Sequence, residues 1–500
     1  MSTDPPDPGA AEASGKGSSE AGSSRGGVAG KIVVLVLVLL VVGWVITRRN
    51  TQPGGGQFPD RDDAQHVVVI LVDTTRRDSF GCYGAQRPVT PRMDQIAAEG
   101  TRFDQAIAQS CWTLPAVTSV LTSTYATIHG AAGKFTGRDT TTFYRSREQV
   151  PHGAEVLTEH QFKTHAIVNA GFLDPTLGLE RGFVRYDFNP GYNQQIRRAD
   201  ASVDAAVRFF ENNQRKNTFL FLHLFDPHLN YDPPGEFEEM FAEGYKGPFR
   251  TLTVPQITKM IGERLIPDAP ERKYLRGEYD AEILFMDRQI GRLVDSLRAL
   301  GLYERTMMVI IADHGEEFWD HDGFEHGHTM YQELIRVPLI IKLPARYRPA
   351  RSVVSARVRQ IDILPTIFDV LGLEVPESFE GQSLLPLMTE PAEPTDRPAY
   401  SEGTLYGVDK VAYYQDQYKY ILNLASGSGE LYDIESDPLE TNDLLAALPQ
   451  VGERMRSALS VFRGALQARA DRLAPPTAID MKAEQNKQLE DQLKALGYLR

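Results

Sequence analysis

Apolar residues in this chain gather into short unbroken runs, and each run stops at a carboxylate, an amide or an imidazole. Residues 66–72 (HVVVILV) end at Asp73, and residues 165–168 end at Asn169. Residues 218–225 (TFLFLHLF) end at Asp226, Pro227 and His228, and residues 307–312 (MMVIIA) end at Asp313 and His314. Runs of this length without polar alternation predict strands covered on both faces, as in an α/β sheet. Ligands sit beyond the carboxyl ends of such strands, so four polar endings on one sheet predict one shared site. Ile283, Met286, Ile290, Leu293, Leu297 and Leu300 recur at spacings of three and four and stop at Gly301, which predicts an amphipathic crossover helix. A helix over 91–100, a strand over 337–343 and a helix over 361–371 follow from the same patterning. Residues 230–278 are Pro- and aromatic-rich and read as an irregular excursion facing the substrate.

The expected fold is an α/β sandwich with a mostly parallel central sheet over residues 65–374. A small C-terminal α+β subdomain is expected over 375–475, with 418–422 and 430–433 as hairpin strands. Residues 476–500 form a tail in which Leu489, Leu493 and Leu496 mark an amphipathic helix. The other end differs. Residues 1–30 are rich in Ser, Gly, Ala and Pro and are expected to be disordered. Residues 31–47 read as a single transmembrane anchor, uncharged from 32 to 46 and bracketed by Lys31 and by Arg48 and Arg49. Residues 48–64 are a flexible linker. Lys16, Arg25 and Lys31 before the span balance Arg48, Arg49 and Arg61 after it, so basic residues leave its orientation open.

The net charge of −14 excludes wholesale nucleic-acid binding. Two cysteines, Cys82 and Cys111, exclude a disulfide scaffold or a cysteine-rich zinc module. Four of the eleven histidines fall in residues 314–328. An anionic oxygen donor beside an imidazole, as at Asp313 and His314, suits a divalent metal of the zinc or manganese kind, with calcium or magnesium also compatible.

Taken together, Asp73, the Thr113 loop and Asp313-His314-Gly315-Glu316 resemble the sulfatase family of the alkaline-phosphatase superfamily. The likeness extends over residues 66–440 and includes Gly81-Cys82-Tyr83-Gly84, Thr90-Pro91, Asp226-Pro227-His228, Arg336-Val337-Pro338-Leu339-Ile340 and Glu430-Leu431-Tyr432-Asp433. It implies an alkaline-phosphatase-like sandwich and a metal-dependent hydrolase of sulfate or phosphate esters. It also implies an extracytoplasmic catalytic domain. Where the best-known sulfatases carry a Cys or Ser in a C-x-P-x-R frame, this chain has Thr113-Leu114-Pro115-Ala116-Val117. Thr113 is therefore the expected nucleophile. Cys111 lies two residues early and is not expected to be converted. Asn169 replaces the family lysine and is the expected oxyanion donor, a combination that resembles the phosphodiesterase and phosphotransferase branches.

The resemblance implies Asp73, Asp313, His314 and Thr113 as metal ligands. Asp226, His228, His326 and His328 are expected to hold a second metal, or to bind the ester and protonate its leaving group. Glu316 is expected to orient His314, Lys134 and Arg76 to contact the anion or to stay solvated or paired, and His223 to line the pocket or the core. The expected partner is a sulfated or phosphorylated small molecule, glycan or lipid. Transfer of the group to a lipid or glycan acceptor, and an inactive binding protein on the same fold, are the alternative readings.

Overall fold

The apolar runs form the centre of a nine-stranded sheet. Its strands are β1 (His66–Val72), β2 (Thr101–Ile107), β3 (Lys163–Val168), β4 (Arg185–Phe188), β5 (Thr218–Leu224), β6 (Thr306–Ile311), β7 (Arg336–Val337), β8 (Leu339–Lys342) and β9 (Val353–Arg359). Their order is β7-β2-β8-β6-β1-β5-β3-β4, with β9 paired to β2. Every residue of β1, β5 and β6 is buried. That burial explains the absence of alternation, and each buried aliphatic side chain contributes roughly 1.5–3 kcal/mol. The computed structural model describes residues 58–495, apart from 136–140, 190–195, 242–243, 251, 263–264, 391–394, 482 and 484–485. The tail and anchor expected over 1–47, most of the linker, and Leu496 lie outside these residues. Among the described residues no helix is long and apolar enough to cross a membrane.

The sheet is mixed. Strands β4, β3, β5, β1 and β6 run parallel, but β8 pairs antiparallel with both β6 and β2, and β7 is antiparallel to β2. A parallel return needs a crossover of a dozen or more residues, usually a helix. Between β6 and β8 the chain forms a small hairpin, Glu317–Phe318 with Phe324–Glu325, then a short helix, Gln332–Ile335, and β7, with no crossover helix over the sheet, and it comes back antiparallel.

Five helices matter for the site and its supports: α1 (Pro91–Glu99), α2 (Thr113–Thr122), α3 (Ala199–Glu211), α4 (Ala269–Ala299) and α5 (Pro449–Ala470). The crossover helix α4 begins well before the apolar stripe that predicted it. A reciprocal cap starts it, with the Asp268 side chain on the first turn and Glu271 Oε2 accepting from Asp268 N at 2.7 Å. Its early turns bury Glu278, Asp280, Glu282 and Asp287, so their polar character disguised a buried helix as a loop. Asp287 supports α1 by accepting from Arg92 N and Met93 N.

At the C-terminal side, Ala399–Ser401, Lys410–Gln415, Tyr418–Asn423 and Gly429–Asp433 form a four-stranded antiparallel sheet. Its aromatic face, with Tyr400, Tyr413 and Tyr420, shares a small core with Met455 and Leu459 of α5. The last described helix, Lys487–Ala495, buries Leu489 and Leu493.

Candidate active site

Strands β1 and β6 are neighbours, with Leu71 opposite Ile311, so the residues that follow them emerge side by side. Thr74 turns the chain in the left-handed region, at φ +48°, a conformation that costs free energy for a β-branched residue. The turn aims Thr74 N at Asp313 Oδ1, 3.2 Å away, and His314 N donates to the same oxygen at 2.9 Å. Asp313 Oδ2 is left buried without a hydrogen-bond partner. Asp73 is divided in the same way. Its Oδ2 accepts from His223 Nε2 at 2.9 Å, and its Oδ1 is buried without a partner.

His314 Nδ1 donates to Gly315 O at 2.9 Å, which turns Nε2 inward as the lone-pair nitrogen. Nε2 lies 3.3 Å from Asp313 Oδ2 and 4.0 Å from Asp73 Oδ1. The bend that permits this needs glycine at 315, where a Cβ would stand 1.9 Å from Glu333 O. One ligand atom from each of Asp73, Asp313 and His314 lies within 4.8 Å of the others. Two orphaned carboxylate oxygens and an imidazole nitrogen, all buried, fit a divalent cation.

Thr113 enters from the first turn of α2. The loop before it is pinned to the 403 turn, where Gly403 O accepts from Ser110 Oγ at 3.0 Å and from Trp112 Nε1 at 2.9 Å. The indole also packs edge-on to Phe172, with centroids 5.3 Å apart. Thr113 Oγ1 is thereby held 3.3 Å from His314 Nε2. Val117, in the place of the motif arginine, is fully buried in the core. Burial pushes the Cys111 thiol up to about 12, so it is no thiolate at neutral pH.

Charge at the centre is strongly coupled. Burial, then the neighbouring Asp313, raises Asp73 well above the usual carboxylate range. Burial acts the same way on Asp313, but the His314 imidazole outweighs it and holds Asp313 at about 2. Burial would lower His314, yet Asp313 and Asp73 together lift it to about 9. The pocket therefore favours positive charge between its two carboxylates.

The family profile described as Sulfatase matches residues 65–373, a span that holds Asp73, Thr113, Asp313 and His314. The chain belongs to the sulfatase family. It is an ester hydrolase of that family, and a second profile, "N-sulphoglucosamine sulphohydrolase, C-terminal", matches residues 320–463. The N-acetylglucosamine-6-O-sulfatase of Bacteroides thetaiotaomicron is 25% identical over 487 residues, covering 77% of this chain and 84% of the relative. A solved structure in complex with its substrate D-glucosamine-2-N,6-O-disulfate aligns with a TM-score of 0.66 at 20% identity, covering 82% of this chain and 99% of that one. The phosphonate monoester hydrolase of Agrobacterium radiobacter aligns with a TM-score of 0.65 at 18% identity, covering 80% and 96%.

In this sulfatase-family chain the remaining residues singled out in the sequence take different places. Asn169 is no oxyanion donor here, because its Nδ2 donates to His223 O at 2.5 Å and to Ser202 Oγ at 3.2 Å. Its Oδ1 accepts from Arg197 Nε at 2.7 Å. Its backbone N instead faces His223 Nδ1 at 3.4 Å, so Asn169 and Arg197 brace the imidazole that orients Asp73. His223 was the harder residue to place from sequence, since one imidazole in an apolar strand also suits the core. His223→Phe keeps the ring and removes the N–H. The expected outcome is a loss of cation affinity of about 10- to 100-fold, read by isothermal titration.

No second cation cluster forms among the described residues. Among the described residues, Asp73, Asp313 and His314 are the one such group of three or more. Asp226 Oδ2 accepts from Ala199 N at 2.9 Å and so caps the first turn of α3. His328 Nε2 pairs with Glu317 Oε2 at 2.8 Å. His228 and His326 do reach the centre. The His326 ring lies 4.3 Å from that of His314 and 5.2 Å from that of His228. His228 Nδ1 faces Leu229 O at 2.9 Å and His326 Nδ1 faces Glu316 Oε1 at 3.0 Å. Burial lowers both, His228 to about 3. Burial thus keeps both neutral at pH 7 and disfavours their protonated forms, so neither is a ready acid for the leaving group. Glu316 therefore orients His326, not His314. Arg76 is a strut, paired with Asp78 at 2.6 Å and Asp320 at 2.7 Å. Lys134 pairs with Asp409 at 2.7 Å and donates to Thr404.

Proposed function

We propose that this enzyme hydrolyses a sulfate or phosphate ester through a covalent intermediate on Thr113, with a divalent cation held by Asp73, Asp313 and His314. The observation that carries the reading is the Thr113 hydroxyl 3.3 Å from His314 Nε2, beside two buried carboxylate oxygens that have no other partner. A bound cation would supply charge neutralisation for the ester oxygens and lower the pKa of a nearby hydroxyl. Thr113 Oγ forms a bond to sulfur or phosphorus as the bond to the departing alcohol breaks. Thr113 gives up one proton and the departing alcohol takes one up, and the rings of His326 and His228, beside His314, are placed to relay it. A threonine ester has no second hydroxyl on the same carbon through which to collapse, so an external acceptor must resolve it. Water gives hydrolysis. A lipid or glycan hydroxyl gives transfer, the second reading, which the same lack of an internal route favours.

The glucosamine sulfates named for two relatives support a sulfated sugar as substrate, and the phosphonate monoester hydrolase neighbour supports phosphorus chemistry on the same frame. Residues 31–47 would tether the enzyme to a membrane, with the catalytic domain outside the cytoplasm. A panel of p-nitrophenyl sulfate, phosphate and phosphodiester substrates, with and without chelator, tests the reading. Turnover of at least one ester that chelator abolishes and zinc or manganese restores is expected. Turnover indifferent to chelator would refute the cation's part.

A further inference from the structure

We infer a second ligand site at the opposite end of the sheet, a pocket that binds the charged ester group and a hydroxyl of a sulfated or phosphorylated sugar. The pocket has a volume of about 320 Å³. Lys163 and His165 at the start of β3, Arg185 at the start of β4, Arg208 near the end of α3 and Asn213 just past it line it. Strand β3 carries Asn169 at its other end, so roughly 20 Å of extended chain separates this pocket from the Thr113 centre.

Its charge is one-sided. Asp187 is the carboxylate on its wall, and Arg197 engages it at 3.0 Å. Among the described residues no carboxylate pairs with Lys163, Arg185 or Arg208. In a chain of net charge −14, three uncompensated cations around one cavity make an electrostatic trap for an anion. Arginine forks suit the planar faces of sulfate and phosphate.

The floor adds a second requirement. His165 is 6% exposed and its Nε2 has no hydrogen-bond partner. Its ring is held edge-on to Phe209, with centroids 5.0 Å apart. Asn213 is 4% exposed and its Nδ2 donates to Phe209 O at 2.6 Å. That bond fixes the amide orientation and leaves Oδ1 buried without a donor. A buried polar atom left unmatched is costly. Inorganic sulfate satisfies the cations but offers Asn213 Oδ1 nothing. A sugar ester offers both anionic oxygens and hydroxyl donors, and an inositol phosphate headgroup presents the same chemistry.

The test is titration of the full chain with glucose 6-sulfate and glucose 6-phosphate, with a parallel arm of vesicles containing phosphatidylinositol 4-phosphate. The expected result is saturable binding that Arg185→Ala/Arg208→Ala weakens at least tenfold. Both arginines are exposed, so Tm and p-nitrophenyl ester turnover should not change. Any binding at the Thr113 end survives in that variant, so one component of the isotherm disappears and the other stays. His165→Phe, which fills the floor, should also weaken sugar binding. Binding in the vesicle arm alone would assign the site to a lipid headgroup. Equal binding by wild type and the double variant, or none in any arm, would overturn the proposal. The site does not depend on the catalytic reading, which fails separately through loss of turnover.

Discussion

Thr113→Ala is expected to lower turnover by about 10³-fold or more, while Cys111→Ala retains most of it. Thr113 Oγ1 lies 3.3 Å from His314 Nε2, and alanine leaves no hydroxyl at that position. Cys111 is buried and its carbonyl is engaged by Gly327 N at 3.0 Å. With its thiol pushed up to about 12, it lacks nucleophilic character at pH 7. Thr113→Ser, which keeps the hydroxyl, should retain measurable activity. Trapping the covalent adduct with a slow ester and locating it by peptide mass spectrometry is the direct check. An adduct on Cys111, or wild-type turnover by Thr113→Ala, would reverse the assignment.

Asp73→Asn is expected to stabilise the cation-free protein while abolishing its response to cation. Asp73 and Asp313 share a fully buried pocket and repel each other, and His314 is the largest of the groups that offset them. Asparagine can still accept from His223 through Oδ1 and presents an N–H where Asp73 Oδ1 has no partner. Removing one buried charge in this way is worth about 1–3 kcal/mol. The sign follows from the raised pKa of Asp73 in the folded state. Its penalty is absent below the ordinary carboxylate pKa and grows as pH rises toward the raised value. The variant's advantage should thus be present at pH 7 and vanish near pH 3. Adding zinc or manganese should raise the Tm of wild type and leave that of Asp73→Asn unchanged. In wild type, affinity should weaken as pH falls below about 9, because a proton on His314 competes with the cation. A wild-type Tm indifferent to every divalent cation would defeat the assignment of these residues as ligands.

Much of the centre was legible because buried strands leave an unmistakable signature. Residues 66–72 and 307–312 are apolar at every position after His66, and their sheet neighbours in register carry Asp73 and Asp313 to one edge. Thr113 was legible through its frame with Pro115 rather than through periodicity, since a threonine before a helix is also an ordinary cap. Helix α4 was read short because its first turns bury acids and tyrosine. Tyr279 went unassigned for the same reason, although its hydroxyl donates to Thr74 O and accepts from Arg76 N, both at 2.8 Å, and so holds the turn after Asp73.

Local sequence thus determined which residues end each buried strand and which side chains could hold a cation, because burial and strand length are encoded within a few neighbours. Their division of labour was decided by tertiary structure. Asn169 and His223 become braces, Asp226 a helix cap, His328 a partner of Glu317, and His228 and His326 neutral rings packed beside His314. Each outcome depends on which distant backbone group lies within hydrogen-bond reach, and those partners are brought near only by the register of the sheet and the packing of helices upon it.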